Sequence, residues 1–218
     1  VFDLVPGTSK NDFIEAVKNG SLEKHLRYID VYPGDVLNIP AGLVHAVGKG
    51  IILAEIQQNS DATYRIYDFN RVGKDGKKRP LHIDKALDVI NFNSETPKEK
   101  TKGIRLKLDS DSSKTYLVAN KYFSVELLDV NGKYLDLADG SKFRIFSFID
   151  GEGEIIYKNG SINFKTLESV LIPADMGEYE IAGRFKALKA YVPELEKDVI
   201  APLVNAGYTK EEILNALY

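Results

Sequence analysis

Several absences limit what this 218-residue chain can be. It contains no cysteine, which excludes a disulfide scaffold and any thiolate metal site and is compatible with the cytoplasm, the location we predict. A net charge of −3 at pH 7 argues against nucleic acid or an anionic membrane as a partner. No apolar run approaches the ~20 residues that span a bilayer. No G-x-G-x-x-G turn follows a predicted strand, which argues against hydride transfer on a dinucleotide.

A short apolar run, broken by a Pro-Ala-Gly corner, is the clearest local pattern that is present. The run predicts a buried strand that the corner must end, because proline has no amide donor and glycine supplies a tight turn. His45 follows the corner and is predicted to begin the next strand. Because strand side chains alternate between faces, His45, Glu55 and Gln57 are predicted to point into one barrel interior. The run consists of Val36, Leu37 and Ile39, and the corner of Pro40, Ala41 and Gly42.

The same segment carries a longer pattern, made of Gly34-Asp35, Ile39-Pro40-Ala41-Gly42, His45-Ala46, Glu55, Asn59-Ser60-Asp61 and Arg65. These residues resemble the second signature of the type I mannose-6-phosphate isomerases in their short bacterial form. The part from Gly34 to His45 also resembles the second half of the cupin pattern, G-x5-P-x-G-x2-H. The resemblance continues less sharply through residues 81–90 and weakly to about Val192.

The resemblance implies a mainly β fold of two cupin (jelly-roll) barrels, the first of them incomplete in this chain, with a few short helices. It implies the interconversion of mannose 6-phosphate and fructose 6-phosphate through an enediol. Zinc is the implied cofactor, and a small-molecule sugar phosphate is the implied partner. The oligomeric state stays open.

Residue roles follow from the resemblance and from chemistry together. Arg65 matches the active-site arginine of the family, and a guanidinium can bind a phosphate or an oxyanion with two parallel hydrogen bonds. Asp61 and Glu55 are the candidates for proton transfer between the neighbouring carbons of the sugar. His45 matches a metal-ligand histidine. We therefore predict Arg65, Asp61 and Glu55 as catalytic residues, Arg65 as substrate-binding and His45 as a metal ligand, although Glu55 can equally orient a ligand or form a structural salt bridge.

The other ligands that the family uses, a Gln-x-His pair and a glutamate some way downstream of it, have no match in this chain. One imidazole cannot hold a catalytic zinc, which requires about three protein ligands. We therefore expect a C-terminal portion of a longer enzyme that is metal-poor and inactive alone. A non-catalytic cupin module that binds sugar or regulates is the alternative. A metal-dependent oxygenase would need more than the three histidines present.

Composition and turn signals predict four segments. Residues 1–92 are predicted as the C-terminal part of the catalytic cupin with a short helical insertion, and residues 93–114 as a polar linker. Residues 115–192 are predicted as a second, degenerate cupin, because strand-like runs alternate with turn pairs. Residues 193–218 are predicted as a helical tail. The turn pairs are Asn131-Gly132, Asp139-Gly140, Asp150-Gly151 and Asn159-Gly160.

Local patterns add specific expectations for helices, strands and side chains. Ser9 is predicted to cap a helix that Asn19-Gly20 ends, and Asp84 to cap one through residue 90. Residues 21–27 are predicted as a second short helix and residues 64–69 as a strand. Thr209 and Glu212 are spaced as a capping box. Glu178, which takes the place of His45 in a faint internal repeat, is predicted to be a solvated turn residue. His25 is predicted to face solvent on a surface helix, and the basic side chains around Asp75-Gly76 are predicted to form the solvated tip of a hairpin.

Overall fold

The structure, a computed structural model, describes residues 1–69, 71–92 and 100–217. The chain divides into two compact units. The first unit comprises Val1–Glu55 and Asn59–Lys100, and the second comprises Ile56–Gln58 and Thr101–Tyr218. Most of the predicted linker, residues 93–99, lies outside the described residues.

Two short helices organise the first unit. Helix α1 spans Lys10–Asn19, with a capping box between Ser9 and Asp12 and a left-handed Gly20 at its end, as the sequence predicts. A 3₁₀ helix, Leu22–His25, replaces the predicted helix over residues 21–27. Buried apolar side chains from these helices and the flanking loops form one small core, made of Leu4, Phe13, Ala16, Leu22, Leu26 and Val44.

The strands predicted in the first unit are wrong. Neither residues 36–39 nor residues 64–69 form a strand, and strand-like pairing among the described residues of this unit is limited to isolated bridges such as Phe2 with His45 and Val72 with Lys78. A strand needs neighbours that accept and donate its backbone hydrogen bonds, and two-stranded pairs are marginal in water. Helix α2 spans Ile83–Leu87, so it is shorter than predicted, and its cap position is His82 rather than Asp84.

The second unit contains one antiparallel sheet of seven strands. In chain order they are β1 (Ile104–Lys107), β2 (Ser113–Ala119), β3 (Ser124–Ala138), β4 (Arg144–Tyr157), β5 (Gly160–Lys165), β6 (Ser169–Ile172) and β7 (Gly177–Tyr191). The spatial order is β1-β2-β3-β7-β4-β5, and β6 pairs with β4 off this path. Alternate side chains of β3, β4 and β7 point inward to a core made of Leu128, Val130, Tyr134, Ala138, Phe146, Phe148, Ile155, Phe164, Ile172, Tyr179, Ile181, Phe185 and Ala187.

The long central strands run straight through two of the predicted turns. Gly132 of β3 lies opposite Gly183 of β7, which in turn lies opposite Gly153 of β4. A Cβ on Gly183 would lie 2.4 Å from the carbonyl oxygen of Glu152, so the backbones approach here in a way that only glycine permits. The predicted turn at Asn131-Gly132 is therefore the middle of β3. The predicted turn at Asp150-Gly151 is likewise inside β4, beside a bulge.

The C-terminal helices are part of the second unit and pack on its sheet. A π-helical turn (Glu196–Ile200) leads into α3 (Ala201–Asn205), and α4 spans Lys210–Leu217 behind the predicted Thr209–Glu212 capping box. Strand β1 lies within the segment predicted as a linker and shares a core with these helices. That core consists of Ile104, Tyr116, Ala119, Val199, Leu203, Ile213 and Leu217. Within the described ranges no helix has the length and apolar character needed to cross a membrane.

Candidate functional site

The Pro-Ala-Gly corner forms a tight turn, as the sequence predicts. The amide of Leu43 donates to the carbonyl oxygen of Pro40 at 3.2 Å, and Gly42 adopts a positive φ of 85°. A Cβ on Gly42 would lie 2.6 Å from the carbonyl oxygen of Val89, and the Gly42 carbonyl accepts from the amide of Asn91 at 3.2 Å. The corner is therefore fixed against the end of the α2 segment by backbone contacts that exclude any side chain at position 42.

His45 follows the corner as part of an isolated bridge with Phe2, not as the first residue of a strand. Its side chain is exposed, so the prediction that it points into a barrel interior is not met in this structure. The Nδ1 atom lies 3.0 Å from the carbonyl oxygen of Leu43. Because a carbonyl only accepts, Nδ1 carries the proton and Nε2 is left as the acceptor. This is the tautomer that a metal-ligating imidazole needs.

The two predicted acid–base carboxylates lie on exposed loop. Glu55 belongs to a stretch, residues 51–58, that forms neither helix nor strand, and Asp61 follows it with an exposed side chain. Within the described ranges, the hydrogen bonds and ion pairs do not join His45, Glu55 or Asp61 to Arg65. The structure therefore places the four predicted residues in the same unit without linking them through direct polar contacts.

Arg65 is held by its backbone against His82. The Arg65 amide donates to Nδ1 of His82 at 3.1 Å, and the His82 amide donates to the Arg65 carbonyl at 2.8 Å. The guanidinium is half-buried and donates from one terminal nitrogen to the carbonyl oxygen of Pro80 at 3.3 Å. The His82 ring contacts the ring of Tyr64 edge to face, 6.4 Å between centroids. These contacts give His82, the residue that precedes α2, a structural role at the start of that helix.

Sequence reasoning missed a buried carboxylate beside Arg65. Asp68 is only 7% exposed and receives both prongs of the Arg79 guanidinium, with Nε of Arg79 at 2.8 Å from Oδ2. A terminal nitrogen of Arg71 lies 3.1 Å from Oδ1. The hydrogen bonds from Arg79 hold the pKa of Asp68 below its usual value, and the charges of Arg79, Arg71 and Arg65 act in the same direction. The only signal in the sequence was an aspartate in an apolar run, followed by two arginines.

The arginine cluster also corrects the expectation for the basic stretch. Lys74 and Lys77 are exposed near the tip of the turn around Asp75-Gly76, as predicted. The amide of Gly73 donates to the carbonyl of Lys77 at 2.8 Å, which closes that turn. The two arginines of the stretch are instead anchored on Asp68 and are not merely solvated. His25 ends the 3₁₀ helix as a half-buried residue, and Glu178 is exposed in β7 rather than in a turn.

Comparisons with known proteins identify the family. Residues 112–192 match the model of the mannose-6-phosphate isomerase cupin domain. Over 185 residues the chain is 35% identical to the mannose-6-phosphate isomerase ManA of Bacillus subtilis, a match that covers 85% of this chain and 58% of that protein. The crystal structure of the mannose 6-phosphate isomerase from Bacillus subtilis superposes with a TM-score of 0.74 at 31% identity, covering 87% of this chain and 58% of that chain. The chain belongs to the mannose-6-phosphate isomerase family.

Membership of this family confirms the resemblance drawn from the sequence and the cupin-type, mainly β fold. A further relative, the mannose-6-phosphate isomerase of Streptococcus mutans, is 28% identical over 186 residues and is matched over 57% of its length. The chain thus spans less than two thirds of each of these isomerases. The family model matches the second unit, whereas the predicted site residues lie in the first.

The described residues do not fit a complete zinc site. Within residues 1–69, 71–92 and 100–217, no three histidine, cysteine, aspartate or glutamate side chains come together in an arrangement that could hold a metal. His45 has the tautomer of a ligand, but one imidazole is too few for a catalytic zinc. In this chain His45 is therefore at most one member of a ligand set.

Proposed function

We propose that this chain forms part of an aldose–ketose isomerase that interconverts mannose 6-phosphate and fructose 6-phosphate by proton transfer. The observation that carries the proposal is its 35% identity to an isomerase of that name over 85% of the chain. The positions that match the family signature, His45 and Arg65, are held in defined orientations by hydrogen bonds to neighbouring loops. The substrate class is accordingly a phosphorylated hexose.

The charge around Arg65 supports a phosphate-containing substrate. Three guanidinium groups, those of Arg65, Arg71 and Arg79, surround a single buried carboxylate, Asp68. Asp68 neutralises one of the three positive charges, and Arg79 binds it with both prongs. Arg65 donates to the uncharged carbonyl of Pro80, and among the described residues it forms no direct ion pair with a carboxylate. A fixed, half-buried guanidinium of this kind suits a phosphate or a developing oxyanion.

The carboxylates suit the proton transfers of the reaction. The sugar ring must open, one proton must leave the carbon beside the carbonyl, and it must return to the neighbouring carbon. We assign Asp61 to ring opening or proton shuttling, because an ionised carboxylate can accept a proton and return it. Glu55 is the second candidate. Arg65 stabilises the negative charge that forms on the enediol oxygens, which lowers the barrier without moving a proton itself.

We propose zinc as the cofactor and His45 as one of its ligands. The support is the Nε2 acceptor that the hydrogen bond from Nδ1 to Leu43 leaves available. The remaining ligands would come from protein outside the described residues. Zinc supplies charge stabilisation to oxygens of the substrate when it is bound.

A non-catalytic cupin module that binds sugar phosphate is the second candidate. The observation in its favour is that the described residues bring together no three-ligand metal cluster. The two candidates predict the same affinity of the arginine cluster for phosphorylated sugars. They differ in turnover: the isomerase converts mannose 6-phosphate and loses this activity when a chelator removes zinc, whereas the binding module shows no turnover with or without zinc.

The deciding experiment assays the complete gene product that contains this chain. We expect it to convert mannose 6-phosphate to fructose 6-phosphate, to lose turnover on dialysis against a chelator and to regain it when zinc is added. Binding of sugar phosphate without turnover, at full zinc occupancy, would replace the isomerase proposal by the binding-module proposal. The 218-residue chain alone, assayed in parallel, is expected to retain neither stoichiometric zinc nor turnover.

A further inference from the structure

The interior of the second unit contains a charged cluster that the proposed isomerisation does not use. Glu126 of β3 and Lys189 of β7 lie directly opposite each other in the sheet, and Phe146 of β4 lies on the other side of Lys189. All three side chains point inward and are buried. A buried ion pair costs desolvation energy, so its retention in the middle of an aromatic core requires a reason.

The Lys189 ammonium is surrounded by acceptors and ring faces. Its Nζ donates to Asp136 Oδ2 at 2.7 Å and to the Tyr134 hydroxyl at 3.0 Å, and it lies 3.8 Å from Glu126 Oε2. The same nitrogen lies 5.5 Å, 6.0 Å and 5.4 Å from the ring centroids of Tyr134, Phe146 and Tyr191. Oxygen acceptors combined with aromatic faces are the usual recognition chemistry for ammonium groups.

Hydrogen bonds from other residues also hold the carboxylates of Glu126 and Asp136, so their positions do not depend on Lys189 alone. Tyr191 donates to Glu126 Oε1, and Tyr179 donates to Asp136 Oδ2, each at 2.7 Å. Arg144 Nε lies 3.4 Å from Asp136 Oδ2. Glu126 Oε2 is buried and accepts no hydrogen bond from the described residues. The Lys189 ammonium lies 3.8 Å from this oxygen, and the Lys114 ammonium lies 3.8 Å from Oε1 of the same carboxylate.

Electrostatics keep Lys189 and Asp136 ionised. Burial acts to lower the pKa of Lys189, but the charges of Glu126 and Asp136 and the hydroxyl of Tyr134 outweigh it, and the pKa stays well above its usual value. Burial likewise acts to raise the pKa of Asp136, yet the Lys189 charge and hydrogen bond bring it below its usual value. The Lys189 ammonium and the Asp136 carboxylate therefore hold each other in the charged form.

We propose that the interior of the second unit is a cation-binding site specific for a primary ammonium, and that its resident ligand is the side chain of Lys189. Glu126, Asp136 and Tyr134 supply the acceptors, and the rings of Phe146 and Tyr191 complete the enclosure. It follows that a small alkylammonium ion takes the place of the side chain when the side chain is shortened. The site lies outside the residues proposed for isomerisation, so it stands or falls independently of that activity.

The Lys189→Ala variant tests the proposal, because it removes the four heavy atoms from Cγ to Nζ. n-Propylammonium has the same number of heavy atoms and can take their place. The melting temperature of the 218-residue chain is measured with methylammonium, ethylammonium or n-propylammonium chloride. Tetramethylammonium chloride at equal ionic strength is the control ion, because it has no N–H donor. We expect primary ammonium ions to raise the melting temperature of this variant by about 3–6 °C at about ten times their dissociation constant.

Lys186→Ala is the matched control variant. Lys186 lies on the outer face of the same strand, half-exposed, with its ammonium 3.9 Å from the Asp129 carboxylate. Neither this variant nor the unaltered chain should respond to primary ammonium ions differently from tetramethylammonium. An equal response of all variants to all four ions, or no response of Lys189→Ala to any, overturns the proposal.

Lys189→Met covers the case in which Lys189→Ala does not fold. Methionine fills most of the volume and removes the charge, so the two carboxylates are left without their shared cation. We expect a lowered melting temperature that Glu126→Gln, added to Lys189→Met, partly restores. A Lys189→Met chain as stable as the unaltered one would mean that the ammonium is not the ligand of this site, and the proposal would then be wrong.

Discussion

Two hydrogen bonds join Arg65 and His82: the Arg65 amide donates to the His82 imidazole Nδ1, and the His82 amide donates to the Arg65 carbonyl. Because Nδ1 accepts, the neutral His82 ring carries its proton on Nε2, the opposite tautomer from that of His45. His82, the cap residue of α2, thereby fixes the backbone position of Arg65, from which the Arg65 side chain extends. Orientation of this kind is what allows a guanidinium to present two donors to one anion.

The Arg65→Lys variant keeps the positive charge and loses the two-pronged geometry. Losing one charge-assisted hydrogen bond costs roughly 1.5–3 kcal/mol, so we expect turnover of the complete gene product to fall about 10- to 150-fold. Zinc content and melting temperature should stay unchanged, because the side chain is half-buried and its hydrogen bond goes to a loop carbonyl. Steady-state kinetics with zinc content measured on the same sample is the test.

Lys77→Arg is the control for Arg65→Lys, since it exchanges the same residue types at an exposed position of the same unit. It should leave turnover unchanged. Near-normal turnover in Arg65→Lys with intact zinc would place Arg65 outside the reaction and remove the main electrostatic support for a phosphorylated substrate.

The His45→Ala variant should lower zinc content and turnover together in the complete gene product. The side chain is exposed, and its backbone bridge to Phe2 does not involve the imidazole, so the melting temperature measured without metal should change little. Glu178→Ala, which removes the exposed counterpart in the internal repeat, should change neither quantity. Zinc measured by mass spectrometry at full occupancy in His45→Ala would exclude His45 as a ligand.

Short-range signals in the sequence predicted the elements whose stability is local. The capping box at Ser9 and the left-handed Gly20 define α1 from side chains within three residues of its start and one residue past its end. The capping box of Thr209 and Glu212 defines the start of α4 in the same local way. The pair Asn159-Gly160 lies at the hairpin between β4 and β5, where Tyr157 pairs with Gly160. In each case the residues that decide the structure are neighbours in the chain.

Elements that depend on distant partners were predicted less well. Asn131-Gly132 has the composition of a turn, but Gly132 is the first of three glycines aligned across β3, β7 and β4. Gly183 lies 51 positions from Gly132 and 30 positions from Gly153, and no local pattern contains such separations. The run at residues 64–69 alternates like a strand, yet it forms none without a neighbour. The Lys189 cluster was missed because Lys189 lies 53 and 55 positions from its partners Asp136 and Tyr134. Asp68 was missed although Arg71 and Arg79 lie 3 and 11 positions away, because nothing in the local pattern marks the aspartate as buried.

Asp68→Asn should destabilise the chain in a pH-dependent way. The Arg79 hydrogen bonds hold the pKa of the Asp68 carboxyl below its value in the unfolded chain, which is about 4. The ionised carboxyl therefore contributes stability above about pH 4, and this contribution is lost as the pH falls through the folded-state pKa. We expect the difference in urea midpoint between the unaltered chain and Asp68→Asn to be largest near neutral pH and to shrink in acid.

The matched control for Asp68→Asn is Asp84→Asn, which removes one negative charge from an exposed position of the same unit. Its effect at neutral pH should be much smaller, because among the described residues Asp84 forms no ion pair with an arginine, whereas Asp68 pairs with Arg71 and Arg79. Equal effects of the two substitutions at neutral pH would show that the ion pairs with Arg71 and Arg79 add nothing to stability.

Gly42→Ala and Gly34→Ala separate two costs of adding a side chain in the loop that leads to His45. One is the strain of a positive φ, and the other is the clash with a neighbouring backbone atom. Both glycines have positive φ, 85° and 93°, but a Cβ at Gly34 meets no atom within 4 Å, whereas at Gly42 it meets the Val89 carbonyl oxygen at 2.6 Å. Conformational strain alone costs about 1–2 kcal/mol, which is the expected loss for Gly34→Ala. Gly42→Ala should cost more, because the backbone contact must also open. Urea unfolding of both variants measures the difference, and equal losses would mean that the corner is free to move away from the α2 segment.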